Sequence, residues 1–314
     1  MLLSVCIPTA GRSWAVVAQA LGSAQAAALP GTEILLAPQG SDPPRERVPA
    51  GVRVLPPIPE AGLVENWNRC LTESQGRLIH ILHDDDLVTP GFYEAIVEME
   101  RRFPEASLYA TGMTYFLGDA GRTSRRAPAG SPPERFEGAA AARLILAGNA
   151  HCCGSVVISR RVVRALGPFD PAFPYCPDEE AYLRFASLGG IVVDRRRLYL
   201  ERVWPGQLRY RTWERPDFVP TYFAARVQGA ARYGDEIRER ARRAAANVTL
   251  KVITSNLLDG RIEAADRNLR ELLALYPRAT ELRRYGRMRA GRRSRFLRGL
   301  ARARRSLRRR LGRP

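Results

Sequence analysis

The stretch "RLIHILHDDDLVTP" (residues 77–90) places three consecutive aspartates, Asp84, Asp85 and Asp86, directly after a short apolar segment. The apolar residues 77–82 predict a buried β-strand. Neighbouring carboxylates repel one another unless a cation or solvent relieves the charge. Mg²⁺ and Mn²⁺ take oxygen ligands and often join a carboxylate to substrate phosphates. The stretch therefore indicates a metal-dependent site at the end of a strand, with a solvated, Asp-rich turn as the alternative.

Strand and helix patterns alternate on both sides of this stretch. The apolar patterns predict strands at residues 2–7, 33–37, 52–56, 77–82, 107–116 and 154–159. Helical patterns lie between them, at residues 14–28, at residues 61–74 and from Pro90 to Phe103. This alternation predicts an α/β fold with a doubly wound, mostly parallel sheet flanked by helices. Ligands bind at the carboxyl ends of the strands in such sheets, and the aspartates would lie there.

Two further segments of the α/β part have a recognisable composition. Residues 118–137 are rich in Gly, Pro, Ser and Arg, so we expect a mobile loop. Residues 176–190 begin with an acidic cluster and continue as a helix. Acidic side chains at a helix start are favoured by the helix dipole alone, so this cluster does not by itself indicate catalysis.

The C-terminal third of the chain has a different pattern. Residues 247–277 predict two helices joined by a turn at Asp259–Gly260, and residues 281–314 hold 15 arginines and one acidic residue. We therefore expect an α/β domain over residues 1–210, a helical appendage over residues 211–290 and a basic tail over residues 291–314.

The basic tail admits three interpretations. If it is helical, one narrow face carries Phe296, Leu300, Leu307 and Leu311, and arginines cover the rest. This pattern favours an amphipathic helix on an anionic membrane surface. A disordered tail is an alternative, and nucleic-acid binding is disfavoured because no recognised nucleic-acid module accompanies the arginines.

The composition indicates a cytoplasmic protein, with peripheral attachment to the inner face of the membrane as an option. The five cysteines include no CxxC pair, which is typical of a reducing compartment. No run of 18 or more apolar residues occurs. The N-terminal residues 1–13 lack a charged n-region, so they predict a first strand rather than a signal peptide.

Four segments, in this order, resemble the family 2 glycosyltransferases, which have a GT-A fold. They are "SVCIPTAGR" (4–12), "LVENWNRCLTESQGRLIHILHDDDLVTPGFY" (63–93), "GSVVISRRVVRALGPFD" (154–170) and "PDEEAYLRFASLG" (177–189). The second segment contains the aspartates at the position of the family's DxD-type motif. The resemblance implies an inverting glycosyltransferase that moves a sugar from a nucleotide-sugar donor to a glycan or lipid-linked acceptor. It also implies a role in bacterial cell-surface polysaccharide synthesis.

The resemblance implies roles for the donor-side residues. Thr9 and Arg12 would lie along the nucleotide, Asp84 and Asp85 would contact the nucleotide-sugar, and Asp86 would be the main metal ligand. Asp84 is the second metal-ligand candidate, and the cation would be Mg²⁺ or Mn²⁺.

The helix before the aspartate strand and the aspartate turn add three candidates. Asn66 is a further nucleotide-contact candidate, with a structural role in tying the loop as the alternative, and the same applies to Asn68. For His83, which precedes the aspartates, a structural role is favoured over contact with the metal or a phosphate.

The remaining candidates lie on the acceptor side. Asp178 matches the family's catalytic base, which would take the proton of the acceptor hydroxyl. His151, Glu179 and Trp204 are candidate acceptor contacts, each with a structural role as the alternative.

Two departures from the family pattern affect the site. Pro38 stands where the family often has an Asp that binds the base. Either Asp42 replaces it, or the backbone alone holds the base. Trp204 stands where some members have a metal-binding His. Two other classes stay open: a sugar-phosphate nucleotidyltransferase, and a non-catalytic module that binds membrane or nucleic acid.

Overall fold

The computed structural model describes residues 1–59, 62–117, 132–148, 153–204, 212–282 and 285. The chain separates into two compact units, Met1–Trp204 and Pro205–Pro314. His151, most of the predicted loop 118–137 and the basic tail 291–314 lie outside the described residues. The predictions made for those parts of the chain stay untested.

The first unit alternates strands and helices, as the sequence predicts. Its strands are β1 (Leu3–Ala10), β2 (Thr32–Gln39), β3 (Val52–Val54), β4 (Leu78–Ile81), β5 (Leu87–Val88), β6 (Leu108–Leu117), β7 (Glu134–Phe136), β8 (Val156–Ser159) and β9 (Ile191–Val203). Its helices are α1 (Trp14–Ala26), α2 (Leu63–Glu73), α3 (Phe92–Arg102), α4 (Gly138–Ala147), α5 (Arg160–Leu166) and α6 (Pro177–Gly189). The α/β class and the helices that flank the sheet are therefore confirmed.

In the described residues, the strands form one mixed sheet. Its order is β3-β2-β1-β4-β8-β6-β9-β5, and β7 pairs with the start of β9. The parallel ladders include the longest ones: β1 pairs with β2 and β4, β2 with β3, and β6 with β9. Strand β8 is antiparallel to β4 and β6, and β5 and β7 are antiparallel to β9. The parallel pairing of β1 with β4 brings their carboxyl ends to one edge of the sheet.

The main core lies between the sheet and helices α1 and α3. Alternate residues of β1, among them Val5 and Ile7, are buried in the same apolar cluster as Leu21 of α1 and Ile96 of α3. Because side chains alternate along a strand, Cys6 points to the opposite face. There its thiol lies 3.7 Å from the backbone oxygen of Cys70 in α2. The sheet is therefore covered by helices on both faces.

The predicted loop over residues 118–137 is wrong at its C-terminal end. Glu134–Phe136 forms β7, and its residues pair antiparallel with Ile191–Val193 of β9. A strand of three residues is too short to show a period in the sequence. Strand β7 is defined by its pairing with β9, which is distant along the chain.

The second unit is helical in its described residues. Its helices are α7 (Phe218–Gly229), α8 (Asp235–Leu258) and α9 (Ile262–Leu275), and short 3-10 helices lie at Ala230–Tyr233 and Pro277–Glu281. The predicted turn at Asp259–Gly260 is confirmed, and Gly260 has a positive φ of 81° there, which favours glycine. None of the helices in the described ranges combines the length and the apolar character that crossing a membrane requires.

Candidate active site

The aspartate turn lies beside the end of β1 because the two parallel strands are in register. Cys6 pairs with Ile81, the last residue of β4, and Thr9 of β1 and Asp84 of the following turn each lie three residues further along the chain. The hydroxyl of Thr9 donates a hydrogen bond to Oδ2 of Asp84 over 2.7 Å. Asp84 and Asp85 are each 8% exposed, and Asp86 is 2% exposed. The three carboxylates are therefore held in a largely buried turn, and the solvated-turn alternative does not apply.

Arg12 provides the positive charge nearest the first two aspartates. Its Nε lies 3.1 Å from Oδ1 of Asp84, and its Nη2 lies 3.1 Å from Oδ2 of Asp85. The guanidinium also stacks on the indole of Trp204, with 4.6 Å from Cζ to the ring centroid. Trp204 donates its indole N–H to the same Asp85 oxygen over 2.8 Å. Arg12 and Trp204 thus form one face of the acidic cluster.

Asp86 is oriented by β9. The hydroxyl of Tyr199 donates to Oδ2 of Asp86 over 2.6 Å, and the backbone N–H of Arg202 donates to Oδ1 over 2.7 Å. The Arg202 side chain also donates from Nε to the backbone oxygen of Asp85 over 2.7 Å. Gly154 is required beside Tyr199, because a Cβ at this position would lie only 1.9 Å from the tyrosine oxygen. The fold therefore fixes both oxygens of Asp86.

His83 completes the turn. Its Nδ1 lies 3.1 Å from Oδ2 of Asp86, and its ring stacks on Trp67 with centroids 5.7 Å apart. Burial alone would lower the pKa of His83. The hydrogen bond with Asp86 and the adjacent Cys153 sulfur raise this pKa well above its ordinary value.

Burial of the Asp84 carboxylate in the turn is electrostatically unfavourable. Burial raises the pKa of Asp84, and the charge of Arg12 and the hydrogen bond from Thr9 act against this rise. The aspartate turn therefore depends on positive charge nearby, which Arg12 supplies in part.

One group of potential metal ligands stands out among the described residues. Ligand atoms of His83, Asp85 and Asp86 all lie within 4.8 Å of one another. Nε2 of His83 is buried and forms no hydrogen bond of standard geometry, although the Cys153 sulfur acts on this ring. Two carboxylates and one imidazole are a chemically suitable donor set for a divalent cation. The residues present therefore fit such an ion. Asp84, the second candidate ligand, is instead held by Thr9 and Arg12.

Asp178 lies in the first turn of α6 and is half-buried. Its negative charge acts on Cys153, where burial and then Asp178 raise the pKa of the thiol to about 11. Cys153 also raises the pKa of His83, so Cys153 is electrostatically coupled both to Asp178 and to the aspartate turn. Glu179 is half-buried beside it.

Glu180 has a structural role. It forms an ion pair with Arg184 one turn later, with 2.8 Å between Oε1 and Nε. Arg184 also donates to the backbone oxygens of Leu166 and Pro168. This arrangement anchors the start of α6, and it leaves Asp178 as the candidate base.

Two asparagines of α2 tie segments together. Asn66 is buried and donates from Nδ2 to the backbone oxygen of Ala37 over 2.9 Å, which holds α2 to the end of β2. Asn68 makes two hydrogen bonds with the backbone of Phe169. Both contacts agree with the structural alternative for these residues.

His80 is a structural histidine, as expected for a residue inside β4. Its Nδ1 lies 2.9 Å from the hydroxyl of Tyr93, and its Nε2 lies 2.7 Å from the backbone oxygen of Gly154. Both ring nitrogens are therefore used within the core. Asp42, the candidate replacement for a base-binding Asp, forms an exposed ion pair with Arg45.

Sequence reasoning did not select Tyr199 and Arg202, which hold Asp86. The sequence pattern did not single them out, because β9 is a strand of 13 residues in which charged and apolar residues are mixed. Only the pairing of β9 with β5 and β6 shows which of its residues face the aspartates.

The fold and the acidic cluster define the class, which is an α/β domain of GT-A type. The family model described as "Glycosyl transferase family 2" matches residues 4–167, slightly more than half of the chain. The chain therefore belongs to glycosyl transferase family 2 and is a glycosyltransferase.

Solved structures of the S. aureus protein TarS share this fold. Residues 1–349 of TarS in complex with UDP-GlcNAc are 12% identical, with a TM-score of 0.57, over 90% of this chain and 92% of that chain. The same part of TarS in complex with UDP is 13% identical, with a TM-score of 0.56, over 91% and 92%. A search of curated proteins gave no match. At this identity, the similarity to TarS shows the fold alone.

Proposed function

We propose that the protein transfers a sugar from a nucleotide-sugar donor to a hydroxyl group of a glycan or lipid-linked acceptor. The observation that carries this proposal is the buried aspartate turn at the carboxyl edge of the sheet, where Arg12 and Trp204 close one side. The TarS complexes with UDP-GlcNAc and UDP support a nucleotide-sugar as the donor. Family membership favours this activity over a nucleotidyltransferase or a non-catalytic module.

The donor would bind across the ends of β1 and β4. Thr9 and Arg12 follow β1, and they already contact Asp84 and Asp85. In the proposed complex, Arg12 faces the negative diphosphate, and the two aspartates contact the ribose and sugar hydroxyls. Trp204 belongs to this donor side, because its indole N–H is used by Asp85.

Mg²⁺ or Mn²⁺ is the cofactor in this proposal, and His83, Asp85 and Asp86 form the ligand group that the fold brings together. When bound, the ion would act as a Lewis acid that stabilises the diphosphate leaving group. Tyr199 and the backbone of Arg202 would keep the Asp86 carboxylate in place. Ligating carboxylates commonly need such supporting hydrogen bonds.

Asp178 is the proposed catalytic base. Its carboxylate would accept the proton of the acceptor hydroxyl as the oxygen attacks the anomeric carbon. The bond from this carbon to the diphosphate oxygen breaks as the new glycosidic bond forms. Direct displacement inverts the anomeric centre. Glu179, which lies next to Asp178 at the same helix start, would contact the acceptor.

The biological setting that we propose is the synthesis of cell-surface polysaccharide on the cytoplasmic side of a membrane. The arginine-rich tail, residues 291–314, would lie on anionic lipid through its apolar face. This part of the proposal rests on the sequence alone. We predict that deleting residues 291–314 abolishes cosedimentation of the protein with phosphatidylglycerol vesicles. Unchanged cosedimentation would contradict membrane attachment through the tail.

The donor part is tested by a thermal-shift panel of UDP, GDP, ADP, CDP and TDP with and without Mn²⁺. Ligand binding to the native state raises the melting temperature by mass action. We expect one diphosphate to give a Mn²⁺-dependent shift that Asp85→Asn loses. Asp235→Asn, which changes an exposed aspartate of the helical unit, should keep the shift. The absence of any shift with the wild-type protein would overturn the proposal.

A further inference from the structure

The two histidines near the aspartates differ in what their ring nitrogens do. His80 uses both nitrogens within the core, one with Tyr93 and one with the Gly154 backbone. His83 uses one nitrogen with Asp86, and its other nitrogen has no hydrogen-bond partner of good geometry. Of these two histidines, His83 is the one whose ring nitrogen lies beside the carboxylate cluster.

The ring of His83 is nevertheless held in position by packing. It stacks on Trp67 with an interplanar angle of 24°, and Trp67 packs edge-on against Phe169 with centroids 5.2 Å apart. Phe169 is fixed in turn by the two hydrogen bonds of Asn68. This packing keeps Nδ1 of the imidazole 3.1 Å from Oδ2 of Asp86, within the acidic cluster.

The donor set determines which cation is preferred. Carboxylate oxygens suit Mg²⁺ and Mn²⁺ alike, whereas an imidazole nitrogen favours transition metals over Mg²⁺. The ligand atoms of His83, Asp85 and Asp86 lie within 4.8 Å of one another, so one ion can contact all three. Tyr199 and the backbone of Arg202 hold Asp86, and the Tyr199 hydroxyl shares the Oδ2 oxygen that His83 contacts.

We propose that His83 is a protein ligand of the divalent cation and that its imidazole makes the site select Mn²⁺ over Mg²⁺. This inference rests on the metal use in the proposed function. It assigns the third ligand to the turn that carries the aspartates, at a residue that sequence reasoning regarded as structural. The end of β9 provides Trp204 to the same cluster, and an indole N–H cannot bind a cation through its nitrogen.

The test measures metal binding directly in the full-length protein. Mn²⁺ is titrated by electron paramagnetic resonance of the free ion, and Mg²⁺ is measured by its competition with Mn²⁺. His83→Gln should weaken Mn²⁺ binding by about tenfold or more and affect Mg²⁺ less. His83→Asp should retain both ions and lose the preference for Mn²⁺. Asp235→Asn, which is distant in sequence and exposed, should change neither value.

A spectroscopic signature separates ligation from a structural role. Electron spin-echo modulation of bound Mn²⁺ should show coupling to an imidazole ¹⁴N, and this coupling should disappear in His83→Asp. If His83→Gln and His83→Asp keep the wild-type Mn²⁺ affinity and the ¹⁴N coupling, His83 is not a ligand. If Asp86→Asn abolishes Mn²⁺ binding in that case, the metal site of the proposed function still stands. If the wild-type protein binds no Mn²⁺, this inference and the proposed metal both fail, while the nucleotide panel still tests the donor.

Discussion

Trp204 and Asp85, which lie 119 residues apart in the sequence, are joined by a hydrogen bond of 2.8 Å from the indole N–H to Oδ2. This contact ties the residue after β9 to the turn after β4. It also places the Trp204 ring under the guanidinium of Arg12. Trp204 thereby contacts Asp85 through its indole N–H and Arg12 through the face of its ring.

Trp204→Phe should separate the two functions of this side chain. It removes the hydrogen bond to Asp85 and retains an aromatic ring for Arg12. Because a hydrogen bond to a charged group contributes about 1.5–3 kcal/mol when buried, and this one is only partly buried, we expect nucleoside-diphosphate binding to weaken by about threefold to tenfold. Isothermal titration calorimetry checks this value. Trp204→Leu, which also removes the cation–π contact, should weaken binding further; equal effects of both variants would contradict the assignment.

Arg12→Gln should have opposite effects on the metal and the nucleotide. The guanidinium neutralises Asp84 and Asp85 at distances of 3.1 Å, so it repels a cation at the same cluster. Without it, Mn²⁺ binding in the absence of nucleotide should tighten by about tenfold, while nucleoside-diphosphate binding should weaken. Both affinities are measured on the same preparation. Arg45→Gln, which breaks only an exposed ion pair with Asp42, is the matched control. Parallel weakening of both ligands by Arg12→Gln would contradict this view.

Protonation of His80 should destabilise the fold in acid. Burial lowers the pKa of His80 to about 4 from the ordinary value of 6.5. The unfolded chain therefore takes up this proton first as the pH falls below 6.5. The free energy of unfolding should decline between pH 6.5 and 4, by about 3 kcal/mol from this group alone. Urea unfolding at a series of pH values measures the decline.

His80→Gln isolates the contribution of this group from that of the carboxylates. The variant should be less stable than the wild type at pH 7, and its stability should depend less on pH over the same interval. If the free energy of unfolding depends on pH in the same way in the wild type and the variant, His80 does not titrate as described.

Gly154→Ala should disturb the support of Asp86. The added methyl carbon would lie 1.9 Å from the hydroxyl oxygen of Tyr199, so the local structure must shift, and we expect this to disturb the hydrogen bond from Tyr199 to Asp86. Overpacking of this kind destabilises a core by about 1–3 kcal/mol. Urea unfolding and Mn²⁺ titration should both show a loss. In a double-mutant cycle with Tyr199→Phe, the two losses should be less than additive; additive losses would mean that Gly154 acts elsewhere.

The sequence predicted the part of the site that is local along the chain. The alternation of strands and helices predicted that Asp84–Asp86 lie at the carboxyl edge of a parallel sheet. In the structure, β1 and β4 are neighbouring parallel strands. Thr9 and Arg12 follow β1 directly, so the register of two strands brings them to Asp84. These predictions needed only short-range patterns and one rule of sheet topology.

The sequence could not predict contacts that depend on long-range pairing. Strand β9 approaches the aspartates through its pairing with β5 and β6, and this pairing determines that Tyr199, Arg202 and Trp204 face the site. The short strand β7 was missed for the same reason. His83 was interpreted as structural because a histidine next to aspartates has no pattern that distinguishes a ligand from a packed ring. The structure adds that Nδ1 of His83 lies 3.1 Å from Oδ2 of Asp86.

The central claim is that Asp178 acts as the base in sugar transfer from a nucleotide-sugar bound at the aspartate turn. The most direct measurement is the release of nucleoside diphosphate from the matching nucleotide-sugar by the wild type, Asp178→Asn and the control Asp235→Asn. We predict that Asp178→Asn keeps the wild-type affinity for the diphosphate and loses about 10²–10⁴-fold in kcat, while Asp235→Asn is unchanged. Turnover by Asp178→Asn at the wild-type rate would contradict the account.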